Sequence, residues 1–232
     1  MIISIRSLFI GTFLIGFATS AIGQNKHPRI IAGIAFASAK PSGKFASTNI
    51  LDEKSGFAKK GFTIGVDGTI FLERNFGLCG SIRIGSNAAD VQQIANGYAS
   101  VFGGTFTVNA SRWYHMSVYG GAHVTVPIGK FNFDLKIMPG FSDNIYPEIT
   151  AQSDQYVYYQ NSEPTRSIAF CASTAVRYKI KESWTISLFS EMNRTKTTFN
   201  VRSENNGIET YQLLNQPIFS NNLGLMVFYN IY

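Results

Sequence analysis

Apolar and polar residues alternate along long stretches of this chain. In the clearest stretch, residues 166–180, the even positions from Ile168 to Ile180 are mostly apolar, and the odd positions from Ser167 to Lys179 are small or polar. Because successive side chains of a β-strand point to opposite faces, this pattern predicts a strand with one apolar face and one small or polar face.

The same period of two recurs along the chain and predicts eight strands. Their apolar faces are Ile30, Ala32, Ile34 and Phe36; Phe62, Ile64, Val66, Ile70 and Leu72; Leu78, Ile82 and Ile84; Met116, Val118, Ala122, Val124 and Val126; Phe131, Phe133, Leu135 and Ile137; Ile168 to Ile180; Trp184, Ile186, Leu188 and Met192; and Leu223, Leu225, Val227, Tyr229 and Ile231.

The connections between these strands alternate between short and long. Short ones lie around residues 74–75, 129–130 and 181–183, and long ones around 40–58, 88–112, 143–164 and 201–216. A closed antiparallel sheet with turns at one rim and loops at the other has this order, which is typical of outer-membrane barrels. Residues 98–109 also look strand-like, but a ninth spanning strand would break the alternation, so we assign them to an ordered external loop.

The composition of the polar faces indicates which side meets water. A soluble lipocalin-like barrel also alternates, but its outer face should carry many Lys and Glu residues. Here the polar face is mostly Ser, Ala, Gly, Thr and Asn, which suits the crowded interior of an eight-stranded barrel. We therefore predict an all-β, eight-stranded, antiparallel up-and-down transmembrane β-barrel, with short periplasmic turns and long external loops. A soluble lipocalin-like binder of an apolar ligand is the alternative.

Composition excludes several other classes. The 232 residues are only 15% charged and 14% aromatic, which argues against a disordered chain, and two Cys are too few for a disulfide scaffold. The formal charge is +6, but no run of Lys and Arg is longer than Lys59-Lys60, so we expect no nucleic-acid partner.

The first residues have the features of an export signal. Arg6 precedes a short apolar core over residues 8–17, and Ala21 and Gly23 are small residues before Gln24. About 10–12 apolar residues are too few for a membrane-spanning helix. We predict cleavage of Met1–Gly23, which would leave one barrel domain over residues 24–232 in the outer membrane of a Gram-negative cell.

The predicted signal, the eight alternating strands and the final strand, which ends Phe228-Tyr229-Asn230-Ile231-Tyr232, together resemble the small OmpA/OmpX-like outer-membrane β-barrel family. The resemblance covers residues 30–232. It implies outer-membrane lipid and the barrel-insertion machinery as partners, with Tyr232 as the terminal aromatic residue that this machinery reads.

Charged residues on the inward faces predict an ion-pair network that plugs the lumen. The four acids and four bases assigned to this network are Asp67, Glu73, Asp134 and Glu191, and Arg83, Lys136, Arg177 and Lys179. A narrow pore or a path for small solutes is the alternative, because rings of charge select ions.

Other reactive residues predict no cofactor and no metal site. His115 and His123 share a face but lie about 26 Å apart at roughly 3.3 Å per residue, so they cannot bind one metal ion. Cys79 and Cys171 both face inward, on strands that are not neighbours, and we expect free thiols.

One short motif keeps an enzymatic alternative open. His115 and Ser117 lie on one strand face, where His115 could take the Ser117 proton and generate a nucleophile. The pair resembles the His-x-Ser of outer-membrane lipid A deacylases, which implies lipid hydrolysis. Those enzymes use the motif facing lipid, whereas the alternation here turns it into the lumen.

The long loops are rich in Tyr, Asn, Ser, Gln and Asp, as in residues 154–161, and such loops make adaptable contacts. We therefore expect a non-enzymatic protein with a structural role in the envelope, or a role in interactions with a surface partner through its external loops.

Overall fold

The computed structural model describes residues 29–231. The predicted export signal at Met1–Gly23 and the terminal Tyr232 lie outside this part of the chain. The elements, in chain order, are β1 (Arg29–Pro41), a short 3₁₀ helix (Gly43–Ala46), β2 (Ala58–Phe71), β3 (Phe76–Ala89), α1 (Val91–Phe102), β4 (Thr107–Ala110), β5 (Trp113–Ile128), β6 (Phe131–Ile145), β7 (Ile149–Gln152), β8 (Val157–Ser162), β9 (Thr165–Lys179), β10 (Trp184–Asn205) and β11 (Ile208–Ile231).

Eight of these strands form a closed antiparallel ring, as predicted. The ring order is β1, β2, β3, β5, β6, β9, β10 and β11, and β11 pairs back onto β1. The closing register places Ile30 opposite Ile231 and Pro41 opposite Ser220. Each neighbour in the ring is also the next spanning strand in the chain, which makes this an up-and-down barrel.

The two ends of the barrel differ in their connections. At one end, which we call the turn end, β2 leads to β3, β5 to β6, and β9 to β10 through only a few residues each. At the other end, the loop end, three of the four connections are long and contain α1, β4, β7, β8 and the 3₁₀ helix. Among residues 29–231, no helix is both long enough and apolar enough to cross a bilayer.

The apolar face of every spanning strand points away from the barrel. Phe36 is 62% exposed and Leu188 is 55% exposed, whereas Asp67 and Glu191 on the opposite faces are buried. The soluble lipocalin-like alternative is therefore wrong, because it requires the apolar side chains inside.

Two strands continue beyond the loop end of the ring. β10 and β11 have 22 and 24 residues and pair without interruption up to Asn205 and Ile208. Their outer part carries β8, β7 and β4 as further antiparallel neighbours. The expected long loop over residues 201–216 is therefore wrong. Asn206 and Gly207, both with positive φ, turn the chain there, and the flanking residues remain paired.

The segment at residues 98–109 belongs to a loop, as predicted, but only its end is a strand. Its first part completes α1, and Thr107–Ala110 forms β4 outside the ring. α1 begins where the Asp90 side chain accepts a hydrogen bond from the backbone N–H of Gln93, and it ends at Gly103, whose φ of 75° favours glycine.

Candidate functional site

The lumen contains a buried network of charged side chains. Within it, Arg83 on β3 contacts two carboxylates from different strands. Its Nη1 lies 2.5 Å from Oδ1 of Asp67 and its Nη2 lies 2.9 Å from Oε2 of Glu191. Three strands separate β3 from β10 in either direction around the ring, so Arg83 and Glu191 come from opposite walls. This ion pair therefore crosses the lumen.

Asp67 joins a second cation to the same network. Nζ of Lys136 on β6 lies 2.5 Å from Oδ2 of Asp67, and the Ser81 hydroxyl donates to Oδ1 at 2.9 Å. The second oxygen of Glu191 accepts from the amide groups of Asn193 and Asn222 at 2.8 and 3.2 Å. Buried carboxylates are tolerated when their oxygens are paired in this way.

A second cluster lies around Asp134. Arg177 donates to both oxygens of Asp134, from Nε at 2.9 Å and from Nη2 at 3.0 Å. Nε2 of His123 is 3.2 Å from Oδ1 of Asp134, and its Nδ1 is 2.9 Å from the Thr69 hydroxyl. Two parallel hydrogen bonds from an Arg to a carboxylate give both strength and a defined orientation.

Six of the eight residues assigned to this network from the sequence lie in the lumen. They are Asp67, Arg83, Asp134, Lys136, Arg177 and Glu191, three acids and three bases, all buried. Glu73 and Lys179 were assigned wrongly. Glu73 lies in the turn after β2 and Lys179 is the last residue of β9, so both side chains are exposed beyond the turn end. Alternation identifies the face of a strand, but it does not show where the wall ends.

The aromatic residues that line the lumen next to the charged network were not identified from the sequence. Phe228 on β11 is buried, with its ring centroid 5.5 Å from Nζ of Lys136 and 5.6 Å from Cζ of Arg177. It packs in an apolar cluster that includes Ile31 and Phe71. Ile31, Phe71 and Phe228 occupy inward positions of their strands, which are otherwise mostly small or polar. Large apolar residues at these positions were the signal in the sequence that could have predicted the cluster.

Little free volume remains in the lumen near the loop end. A cavity among Arg83, Ser117 and Ser142 measures about 20 Å³, which is room for roughly one water molecule. Cys79 and Cys171 are both buried and free, as expected. Among the described residues, no group of three or more His, Cys, Asp or Glu is placed to hold a metal ion.

The His115–Ser117 motif also faces this closed lumen. The Ser117 hydroxyl donates to the Ser142 hydroxyl at 2.8 Å, and Ser117 is buried. His115 packs closely over Gly85, where an added Cβ would lie 2.0 Å from its Nε2. Neither side chain is on the outward, apolar face, where a lipid chain would lie, so this geometry gives no support to lipid hydrolysis.

The loops form a folded layer over the loop end, which we call the loop platform: residues 42–57, α1, β4, β7, β8, and the outer parts of β10 and β11. At its base, Trp113 is buried and donates from Nε1 to the Gly56 carbonyl at 3.0 Å. The Trp113 ring makes edge contacts with Phe45, Tyr146 and Phe199 at centroid distances of 5.2, 4.7 and 6.0 Å.

A chain of aromatic rings holds the outer part of the platform together. Its five members, with neighbouring centroids 5.5 to 6.5 Å apart, are Tyr98, Phe102, Phe106, Tyr156 and Tyr158. Aromatic pairs at such distances favour tilted and offset arrangements. Burial, together with the neighbouring Tyr158, raises the pKa of Tyr98.

An open cavity of about 390 Å³ lies between these rings and the β10–β11 extension. Tyr98, Phe102 and Tyr158 form one side, and Asn205 and Gln212 the other. Lys44 donates to Asp52 at its edge and holds the pKa of that carboxyl below its usual range, so this pair brings no net charge. The cavity therefore offers aromatic faces, amide groups and the carboxylate of Glu53 to a partner.

Comparison with known proteins shows the fold. No protein-family model matches the sequence, and no curated protein matches it. A major outer membrane protein from Thermus thermophilus is 12% identical, with 88% of this chain and 100% of that chain covered and a TM-score of 0.54.

Two further solved structures agree with this result. The outer membrane protein OprG from Pseudomonas aeruginosa is 8% identical over 90% of this chain and 98% of its own, with a TM-score of 0.51. The outer membrane protease OmpT from Escherichia coli is 9% identical over 90% and 99%, with a TM-score of 0.50. The resemblance to small outer-membrane barrels predicted from the sequence is thus confirmed at the level of the fold.

Proposed function

We propose that this chain is a non-enzymatic outer-membrane protein, with a barrel that spans the bilayer, a lumen closed by its ion-pair network, and a loop platform that binds a partner at the cell surface. The observation that carries the proposal is the distribution of side chains, which is the inverse of that in a water-soluble barrel. An apolar belt faces outward, and the charges are buried inside a lumen with little free space.

The height of the belt fits a bilayer. On β6 the outward apolar residues run from Phe131 to Phe141. At about 3.3 Å per residue and a tilt of about 40°, ten residues rise roughly 25 Å, the height of the apolar band of outer-membrane barrels. Rings gather at the turn end, where Trp184 packs on Tyr229 and Phe131 on Tyr178. Aromatic residues are common at such interfaces.

The network favours a closed lumen over the narrow-pore alternative. The Arg83–Glu191 pair crosses the lumen, and the three buried acids balance the three buried bases. An ion entering this region would have to displace strong, mutually satisfied pairs. An eight-stranded barrel is also only wide enough for its side chains to fill the interior.

The platform supports a role in surface interaction. It is packed on Trp113 at its base and carries an open cavity with aromatic and amide groups. Binding residues are often found on loops held by a rigid scaffold.

The membrane assignment is tested by expressing the full chain with its N-terminal segment and isolating outer membranes. We expect the protein in that fraction, with a band on an SDS gel that shifts when the sample is boiled, because a closed barrel has no open edge for the detergent to attack. The mass of the purified chain should correspond to a start at Gln24. A soluble protein without a shift would contradict the proposal.

The closed lumen is tested by conductance in planar bilayers. Wild-type protein should give no stable current, whereas the double variant Arg83→Ser/Glu191→Ser should open measurable currents because it removes the link across the lumen. A wild-type current that changes its ion selectivity on Lys136→Glu would instead support the pore.

A further inference from the structure

Five basic side chains form an arc on the outward face of the barrel, just beyond the apolar belt. They are Lys40 on β1, Lys60 on β2, Arg112 immediately before β5, and Arg194 and Lys196 on β10. From the sequence these residues appear scattered, because the first and the last are 156 positions apart and the largest gap between successive members is 82 positions. We call them the basic arc.

The strand registers place part of the arc in one hydrogen-bonded row across the wall. Ala39 pairs with Gly61, so Lys40 lies opposite Lys60 on the next strand. Gly61 pairs with Asn87, and Asn87 pairs with Trp113, so Arg112 continues this row two strands further on. At about 4.8 Å between neighbouring strands, the three cations lie within roughly 15 Å of each other along the wall.

Contacts of Arg112 show where the arc lies relative to the belt. Its Nε donates to the Ser86 hydroxyl at 2.6 Å, and its Cζ is 5.9 Å from the centroid of the Phe62 ring. Phe62 is half exposed on the outward face. On β10, Arg194 follows the exposed Met192 by two positions and thus lies on the same face. The charges begin where the apolar surface ends.

The arc is not neutralised by acidic residues of the barrel. Within residues 29–231, no carboxylate lies within ion-pair distance of any of its five cations. The opposite flank differs, because Arg166 on β9 donates to both oxygens of Asp143 on β6 at 2.7 Å. Just beyond the apolar belt, these five cations without an acidic partner therefore lie on the part of the wall from β10 through β1 to β5.

We propose that the basic arc binds the phosphate groups of an anionic lipid in the leaflet that surrounds the loop end. This inference rests on the membrane-spanning barrel proposed above. A row of cations directly above an apolar belt fits a lipid, whose chains would lie on Phe62 and its neighbours while its phosphates meet Lys40, Lys60 and Arg112. A soluble anion would contact only the charged groups and would make no contact with the apolar belt.

The test compares two triple variants with the same loss of charge. One is Lys40→Gln/Lys60→Gln/Arg112→Gln in the arc, and the other is Lys130→Gln/Lys179→Gln/Lys181→Gln at exposed positions of the turn end. Both are purified in neutral detergent and titrated with diphosphorylated lipid A, with its dephosphorylated form, and with inorganic phosphate, with bound lipid counted by native mass spectrometry.

We expect the arc variant to lose affinity for the diphosphorylated lipid by about tenfold or more, since each base near a charged membrane surface contributes substantially. The turn-end variant should bind as the wild type does, and the dephosphorylated lipid should bind weakly to all three proteins. Equal affinity of the two triple variants would overturn the proposal. Displacement of the lipid by millimolar inorganic phosphate would show a free-anion site instead.

The SDS gel distinguishes failure of the lipid-binding proposal from failure of the membrane-barrel proposal. Each variant is also run cold and boiled on an SDS gel. A heat shift with unchanged lipid binding would overturn only the basic arc, whereas loss of the shift in the wild-type protein would overturn the barrel in the membrane.

Discussion

Arg83 and Glu191 project from opposite walls of the barrel and meet across its lumen, with Nη2 of Arg83 2.9 Å from Oε2 of Glu191. No backbone pairing joins β3 to β10, so this contact connects two parts of the ring that the sheet itself does not. The network thus braces the wall from inside.

Removal of one partner from this pair should be costly. We expect Arg83→Met to lower the free energy of unfolding by about 3–5 kcal/mol, because it leaves Glu191 buried without its cation. The double variant Arg83→Met/Glu191→Leu should regain most of this loss. Urea unfolding of the protein in lipid vesicles measures both. A single variant as stable as the wild type would show that the pair does not brace the wall.

Trp113 should hold the loop platform on the barrel. Because it is buried against Phe45 and Tyr146, we expect Trp113→Ala to cost about 3–5 kcal/mol and to loosen residues 42–57. Limited trypsin digestion should then cut at Lys44 or Lys54, while the heat shift of the barrel remains. Trp113→Phe is the control and should resist digestion. Equal resistance of the Ala variant would exclude this anchoring role.

Two glycines on the barrel wall provide a matched pair for steric crowding. A Cβ at Gly140 would lie 2.1 Å from the Val118 carbonyl oxygen, whereas one at Gly68 would meet nothing within 4 Å. Gly140→Ala should therefore cost about 1–3 kcal/mol through strain. Gly68→Ala should stay within about 0.5 kcal/mol of the wild type. The measurement is the urea midpoint of unfolding of each variant, compared where the dependence of the unfolding free energy on urea concentration is the same. Equal midpoints for the two variants would contradict the steric argument.

Alkaline conditions should loosen the platform through Tyr98. Its folded pKa is raised by burial, so the neutral form is favoured in the folded platform. The resulting stabilisation is complete below the unfolded pKa of about 10 and is lost as the pH rises above it. We expect trypsin sensitivity of the platform to increase above that pH, together with late ionisation of Tyr98 in ultraviolet absorbance. Tyr98→Phe should reduce the amplitude of the late ionising step by one tyrosine, and the buried Tyr146, whose pKa is also raised, should still ionise late.

Alternation in the sequence predicted the eight spanning strands and the side of the wall on which six of the eight assigned charges lie, because both follow from the period of two. It did not identify the partners. Arg83 and Glu191 are 108 positions apart, and only closure of the ring brings them together. Likewise, His123 was considered only as a metal ligand, whereas its imidazole lies between the Thr69 hydroxyl, 2.9 Å from Nδ1, and Asp134, 3.2 Å from Nε2.

The outer half of the β10–β11 hairpin was missed for a different reason. Residues 201–216 contain few apolar residues and resemble a solvated loop. Nevertheless, Asn206-Gly207 is the dipeptide that a two-residue hairpin turn prefers, because both of its residues adopt positive φ. This dipeptide was visible in the sequence, but the residues on either side of it are mostly polar and do not show the alternation expected of paired strands. The basic arc was missed because charge was considered along the chain and not across the paired strands.

Pairing of the first spanning strand with the last has a consequence for the order of folding. Ile30 and Ile231 lie about 200 positions apart, so β1 cannot find β11 until nearly the whole chain is available. Hairpins such as β10–β11 close short loops and can form early, whereas this seam closes the longest one. Until it forms, both strands expose unpaired backbone edges, so assembly of this barrel is most vulnerable to aggregation in its final step.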